Sequence, residues 1–112
     1  MRVLIFGGRD FVGNSIAEDW LTHNIPPNPT IISGTARGAD KFGEEWATTY
    51  FYPIERFPAD WKTHGRKAGY IRNQQMLDSG IDVAFQFPGG TGTADMRRRL
   101  DKAGVKVYVY EE

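Results

Sequence analysis

Five short apolar runs alternate along this chain with stretches of helical periodicity. Runs that are apolar on both faces are typical of parallel strands buried on both sides of a sheet. The last run instead alternates valine with lysine or tyrosine, which favours an edge strand with one face partly exposed. The predicted strands occupy residues 2–6, 30–32, 53–57, 83–87 and 105–110.

Apolar residues at three- and four-residue spacing predict helices between these strands. The first helix is marked by Val12, Ile16 and Trp20, and the second and fourth stripes lie within 39–50 and 93–103. Residues 66–78 lack a clean stripe, but a helix is expected there because the chain must cross back to a parallel strand. The order β-α-β-α-β-α-β-α-β predicts a three-layer, doubly wound α/β domain over residues 1–112, Rossmann-like, with five mainly parallel strands in the order 3-2-1-4-5.

Composition narrows the function classes. A chain of 112 residues is too short for two cores, and it has no apolar run near the roughly 20 residues that span a bilayer. The short apolar stretch at 3–6 is followed by no small-residue cleavage site, so no signal peptide is expected. Cysteine is absent, which excludes disulfides and thiolate metal sites, and no His, Asp and Glu cluster has metal-ligand spacing. The 14 basic and 14 acidic residues balance, so net charge does not favour nucleic-acid binding.

Glycine-bearing loops follow strands one, two and four, and therefore meet at the carboxyl edge of the sheet, where such folds bind ligands. The first, residues 7–13, has the glycine spacing of a Walker loop, but Asn14 replaces the lysine, which excludes that type of ATP hydrolysis. A plain tight turn and a ligand role remain equally open for it. In the second, residues 33–40, glycine amides and Arg37 suit an anion, and Asp40 is interpreted as a carboxylate that stabilises the helix dipole.

The third loop, residues 87–95, carries the strongest signal in the chain. Three glycines and two threonines separate a buried strand from a helix, and a purely structural turn rarely needs so many glycines. Backbone amides and hydroxyls in this arrangement form a cradle for phosphate. We expect the cradle to consist of Gly89, Gly90, Thr91, Gly92 and Thr93.

Basic residues cluster at the same edge, and the polar segment 58–65 starts there too. Trp61 in that segment suits a lid or a stacking platform for a base, with local packing as the alternative, and His64 is a candidate acid, base or phosphate donor. The arginines at 97–99 lie inside helix four, where pairing with Asp95 explains them better than a nucleic-acid role. The clustered cations are Arg9, Arg37, Arg66, Lys67 and Arg72.

These motifs resemble a known family. The run Pro-Gly-Gly-Thr-Gly-Thr at 88–93 resembles the PGGxGTxxE motif of LOG-type phosphoribohydrolases, which cleave the N-glycosidic bond of nucleoside monophosphates. Residues 72–76 are similar to the segment that supplies their active-site arginine, which implies that role for Arg72. The loop 33–40 resembles their second glycine-rich loop. With Gly-Arg-Asp-Phe at 8–11 and Phe-Pro-Ala-Asp-Trp at 57–61, nearly the whole chain resembles the small stand-alone branch of the SLOG superfamily related to YspA and YpsA.

The resemblance implies a single nucleotide-binding domain, with one departure that bears on activity. Met96 stands where LOG-type enzymes have their catalytic glutamate, and it fits the apolar stripe of its helix. Glycosidic hydrolysis needs a positioned carboxylate, and the nearest one is Asp95. The leading hypothesis is therefore binding of a nucleotide or nucleotide-derived ligand, with glycosidic hydrolysis by Arg72 and Asp95 as the alternative. A second alternative is an accessory protein of nucleic-acid processing that binds through the three arginines at 97–99.

The expected ligand-binding residues lie in the three glycine loops, apart from Arg72 in the third predicted helix, residues 66–78. No cofactor or metal is expected beyond the ligand. LOG-type relatives are dimeric and this chain has many aromatic residues, which together imply a homodimer or higher homo-oligomer, most simply a dimer formed through helices. The distribution of the branch implies the cytoplasm of a bacterium or of a phage-infected bacterium. The expected ligand-binding set is Gly8, Arg9, Ser33, Gly34, Arg37, Gly38, Arg72, Gly89, Gly90, Thr91, Gly92 and Thr93.

Overall fold

A computed structural model describes residues 1–112 and contains one five-stranded sheet. Every neighbouring pair of strands is parallel, and the order is 3-2-1-4-5, which confirms the predicted fold class and strand order. Because all strands are parallel, the loops after strands one, two and four share one edge, and the strand order reverses there beside the first strand. The strands are β1 (Arg2–Phe6), β2 (Thr30–Ser33), β3 (Ile54–Arg56), β4 (Val83–Gln86) and β5 (Lys106–Val109).

Helices connect each strand to the next. A one-turn helix and a 3₁₀ turn, Gly65–Lys67, occupy part of the segment predicted as irregular between β3 and the third helical region. The Asp60 side chain caps that one-turn helix by accepting a hydrogen bond from the Thr63 amide at 3.1 Å. The helices are α1 (Ser15–Asn24), α2 (Ala39–Thr49), α3 (Trp61–His64), α4 (Ala68–Asp78) and α5 (Thr91–Lys102).

Alternate residues of the central strand face two separate cores. Val3 and Ile5 of β1 pack in the core beneath α1 and α2, whereas Leu4 and Phe6 pack in the core beneath α4 and α5. All four side chains are at most 4% exposed. Burial on both faces explains why the parallel strands read as continuous apolar runs.

The first helix begins later than the apolar spacing predicted. Asn14 accepts a hydrogen bond from the Ala17 amide at 2.9 Å, which starts α1 at Ser15. Ala17 and Leu21, four residues apart on one face, pack against the sheet, while Ile16 is 69% exposed. The prediction that Val12 and Ile16 belong to the apolar stripe of this helix was wrong, because Val12 precedes the helix and Ile16 lies about 100° around it from Ala17.

Most of the aromatic side chains pack inside the protein. Phe87 lies within 5.5 Å, centroid to centroid, of Phe11, Trp20, Phe42 and Tyr110. These tilted and edge-to-face contacts are the preferred geometries of aromatic pairs. No helix in the structure has the length and apolar character that a membrane span requires.

Candidate functional site

Gly8 joins the three glycine loops through its backbone. Its N–H donates to the Pro88 carbonyl at 2.8 Å, and its carbonyl accepts from the Ala39 amide at 3.0 Å. A Cβ placed on Gly8 would lie 2.8 Å from the Gly89 Cα, so both glycines are needed for this close approach. The structure thus brings the first, second and third loops together, as the strand order requires.

The third loop ends in an open helix N-terminus. The N–H groups of residues 89–93 have no acceptor within the chain, and no side chain caps the helix at Gly90. A Cβ on Gly90 or Gly92 would meet nothing within 4 Å. The Thr93 hydroxyl also has no hydrogen-bond partner, although the residue is only 7% exposed. Free amides at the positive end of a helix dipole are suited to an anion.

The second loop uses two of its predicted ligand residues for its own structure. The Ser33 hydroxyl donates to Glu44 Oε2 at 2.6 Å and accepts from the Thr35 amide, so this buried side chain is already engaged. Gly38 caps α2 with a φ of +77°, and a Cβ there would collide with the Gly8 carbonyl. The two residues therefore shape the loop, and their predicted ligand contacts would have to come from the backbone.

Asp40 is a buried carboxyl at the start of α2. Its Oδ2 accepts from the Ala36 amide at 3.1 Å. Burial raises the pKa of Asp40 to about 6, against the lowering influence of the Ala36 amide and the charges of Arg72 and Arg9. The helix-dipole interpretation placed Asp40 correctly in the first turn, but it gave no reason to expect burial beside two cations.

Arg72 reaches the second loop from α4. Its guanidinium donates to the Gly34 carbonyl, and its Nε donates to Asn73 Oδ1 at 3.2 Å. Burial lowers the pKa of Arg72, Asp40 opposes this, and Arg9 adds to it. A Cβ on Gly34 would lie 2.7 Å from the same guanidinium, so Gly34 makes room for Arg72.

Two adjoining cavities lie at this edge, of about 470 Å³ and 520 Å³, and seven of the predicted ligand residues line them. The other five, Ser33, Gly38, Thr91, Gly92 and Thr93, line neither cavity. Arg9 lines both cavities, and its guanidinium carbon lies 5.3 Å from the centre of the Trp61 ring. The first cavity is lined by Arg9, Gly34, Thr35, Ala36, Arg37, Pro58, Ala59, Trp61 and Arg72. The second is lined by Gly8, Arg9, Asp10, Phe11, Val12, Pro88, Gly89, Gly90 and Glu112.

Arg37 lies at the exposed rim of the first cavity, and His64 lies outside both cavities. Arg37 is exposed at the cavity and forms a surface pair with Asp10 at 3.3 Å, a pair of the kind that contributes little stability. His64 ends α3, is exposed, and lines neither cavity.

Asp95 lies away from both cavities, in a groove of about 690 Å³ between α4 and α5. It accepts hydrogen bonds from Asn73 Nδ2 at 3.0 Å, Arg99 Nε at 2.8 Å and Arg98 at 3.3 Å, which confirms the predicted pairing with these two arginines. Burial acts to raise the pKa of Asp95, but the hydrogen bonds from Arg99 and Asn73 outweigh it and hold the pKa below its usual value. Met96, the next residue, is 1% exposed in the core, as predicted.

A parallel sheet of this order, with glycine loops and arginines at its carboxyl edge, defines a Rossmann-like α/β protein. A family model described as the YspA, cpYpsA-related SLOG family (YAcAr) matches residues 1–64, and this chain belongs to that family. It is 37% identical over 116 residues to the Gene 61 protein of Mycobacterium phage D29, covering 95% of this chain and 93% of the relative. No solved structure is significantly similar to it. Membership of the SLOG superfamily points to nucleotide-related ligands in general.

Proposed function

We propose that this protein binds a nucleotide or nucleotide-derived ligand at the carboxyl edge of its sheet. The phosphate would rest on the first turn of α5, and the rest of the ligand would occupy the cavity beside Arg9 and Arg72. The observation that carries the proposal is the set of unpaired amides at residues 89–93 beside two glycines that face open space.

Packing distinguishes these glycines from the others. Gly8 and Gly89 are explained by the contact between their loops, because any Cβ would collide there. Gly90 and Gly92 have no such explanation, since a Cβ on either would meet nothing in the protein. A ligand that approaches the backbone closely accounts for glycine at both positions.

Gly92→Ala separates the ligand role from the structural one. Alanine is favoured over glycine in a helix and has space here, so thermal stability should not fall. We expect affinity for AMP and for inorganic phosphate, measured by calorimetric titration at fixed ionic strength, to fall at least about tenfold, because the added methyl group blocks the approach to the amides.

The matched control for that experiment is Lys102→Ala, at the opposite end of the same helix. It removes a positive charge without touching the loops, and AMP affinity should stay within about twofold of the wild type. Equal affinity of wild type and Gly92→Ala for both anions would contradict the proposed phosphate site.

Hydrolysis of an N-glycosidic bond is a second candidate, and one observation favours it. Asp40 is a buried carboxyl, influenced by Arg72, with a pKa raised to about 6, a value suited to proton transfer near neutral pH. Asp95, the carboxylate suggested by the sequence, is engaged by Asn73 and two arginines in another groove. Any such activity would therefore draw on Asp40.

The corresponding test is incubation of the pure protein with a panel of nucleoside monophosphates and measurement of free base. We expect no release, because Met96 replaces the carboxylate that the LOG-type motif places there. Release by the wild type that is lost in Asp40→Asn and kept in Asp95→Asn would establish the enzymatic function. The nucleic-acid alternative has no supporting observation, since Arg97 pairs with Asp101 while Arg98 and Arg99 pair with Asp95.

A further inference from the structure

Trp61 presents an aromatic face to the first cavity. The residue begins α3, is 49% exposed, and lines the cavity next to Pro58 and Ala59. A Cβ on Gly69 of α4 would lie 3.6 Å from the ring carbon Cη2, so the far end of the indole rests against a residue without a side chain. The ring is therefore supported by α4 on one side and open toward the cavity.

Arg9 is the side chain that covers this ring. Its guanidinium carbon lies 5.3 Å from the ring centre, within the range of a cation–π contact. Arg9 is exposed and forms no ion pair within 4 Å, so no other group in the chain holds it in place. It also lines the second cavity, next to Gly89 and Gly90 of the proposed phosphate cradle.

We propose that Trp61 is a stacking platform for the base of a phosphorylated nucleoside, and that the base takes the place of the Arg9 guanidinium. The displaced Arg9 then turns toward the phosphate. This inference rests on the proposed function and specifies its ligand class: the ligand carries both an aromatic base and a phosphate, and purines, with the larger ring, are preferred.

The exchange follows from the chemistry of the two partners. A guanidinium over an exposed ring keeps much of its hydration and is held weakly, whereas a base that stacks on the ring removes apolar surface of both partners from water. The same displacement frees a forked donor that matches a phosphate. Arg9 thereby couples the two cavities. Its guanidinium leaves the first cavity when the base enters and binds the phosphate at the second.

The test compares AMP with ribose 5-phosphate, which has the sugar and phosphate but no base. We expect the wild type to bind AMP at least about tenfold more tightly than ribose 5-phosphate. In Trp61→Ala the two affinities should become equal within about twofold, through loss of AMP affinity alone, while Trp61→Phe should keep most of the preference. Arg9→Gln should lower the affinity for both ligands, because in the wild type the freed guanidinium binds the phosphate that both carry.

Fluorescence gives an independent measurement of the same contact. Trp46 is buried and Trp20 is partly buried in the opposite core, so quenching by AMP should come from Trp61 and should be absent in Trp61→Phe even though binding persists. Ribose 5-phosphate should not quench. The melting temperature of each variant checks that the fold is kept.

The outcomes separate the two proposals. A preference for AMP that is unchanged in Trp61→Ala, or equal binding of AMP and ribose 5-phosphate by the wild type, overturns the stacking inference while Gly92→Ala still tests the phosphate site. Failure of both ligands to bind overturns the proposed function and this inference with it.

Discussion

At the scale of single residues, ionisation of the buried Asp40 carboxyl lowers the stability of the folded protein. Its pKa rises from 3.8 to about 6 because burial removes the carboxylate from water, and the nearby arginines only partly compensate. The folded protein therefore binds this proton more tightly than the unfolded chain does. The stabilisation by the neutral form is complete below about pH 4 and is lost as the pH rises through about 6.

Asp40→Asn should remove this dependence, because the amide oxygen can still accept from Ala36 and carries no charge. We expect the variant to gain up to roughly 3 kcal/mol over the wild type above pH 7 and nothing below pH 4. Urea denaturation of both proteins from pH 4 to 8 measures the difference. Asp10→Asn, at an exposed carboxylate of the same edge, is the control, and its effect on stability should be small because exposed ion pairs contribute little. If the free energy of unfolding changed with pH in the same way in the wild type and in Asp40→Asn, the raised pKa of Asp40 would be contradicted.

Arg72 is expected to contribute a positive charge to the proposed site. It is the half-buried cation of the first cavity and bonds the Gly34 carbonyl. Arg72→Ala should weaken the binding free energy of AMP by roughly 1.5–3 kcal/mol, the scale of a charge-assisted hydrogen bond. Titration calorimetry measures it, with Lys102→Ala again as the charge-removal control. An effect no larger than that of Lys102→Ala would remove Arg72 from the site.

At the scale of elements, a polar network ties α5 to α4 beside the proposed cradle. Asp95 of α5 accepts from Asn73 of α4, whose side-chain amide also donates to the Gly92 carbonyl at 3.3 Å. Arg99 donates to both Asp95 and Gln74, which closes the network. The first turn of α5, which carries the free amides, is thus positioned by side chains of the neighbouring helix.

Asp95→Asn should break the charged part of this network and leave the loops intact. We expect a loss of about 1–3 kcal/mol in the free energy of unfolding at pH 7, since buried donors lose a charged acceptor, and AMP affinity within about twofold of the wild type. Because the Asp95 pKa is lowered, this stabilisation is present at neutral pH and is lost as the pH falls below about 4, opposite in sign to Asp40.

The matched control for Asp95 lies on the same helix. Asp101 pairs with Arg97 at the same four-residue separation, but its side chain is 55% exposed, against 10% for Asp95. Asp101→Asn should therefore cost well under 1 kcal/mol. Equal losses in the two variants would show that burial of Asp95 contributes nothing to the fold.

At the scale of the whole molecule, the expected homodimer remains a prediction. The aromatic residues that suggested leftover apolar surface are mostly inside, and Val12 and Ile16, 80% and 69% exposed, are the aliphatic surface beside α1. We expect light scattering at micromolar concentration to give a dimer mass and Ile16→Glu to shift it toward monomer without changing AMP affinity. A monomer mass for the wild type would contradict the prediction.

Much of the fold was predictable because strands buried on both faces are distinct in sequence. The apolar runs and the glycines that follow them indicated five strands and three loops, and topology rules then placed those loops at one edge. The apolar spacing predicted too early a start for α1, since Val12 and Ile16 mimic a buried stripe, and the polar character of residues 58–65 predicted no helix there. Helix α3 forms in that segment, but one turn capped by Asp60 has no periodicity to detect.

Hydrophobic periodicity and chain connectivity were enough to predict a parallel sheet, the meeting of the glycine loops at one edge and the burial of Met96. The strand order 3-2-1-4-5 was a hypothesis that the structure confirms, since the same alternation of strands and helices also fits the order 2-1-3-4-5. The roles of the two carboxyls depended on tertiary contacts. Successive residues of a helix point about 100° apart, so with Met96 against the sheet, Asp95 turns toward α4 rather than toward the loops. Asp40 is buried by the Gly34 loop and lies near Arg72, contacts between segments distant in sequence that no local pattern encodes.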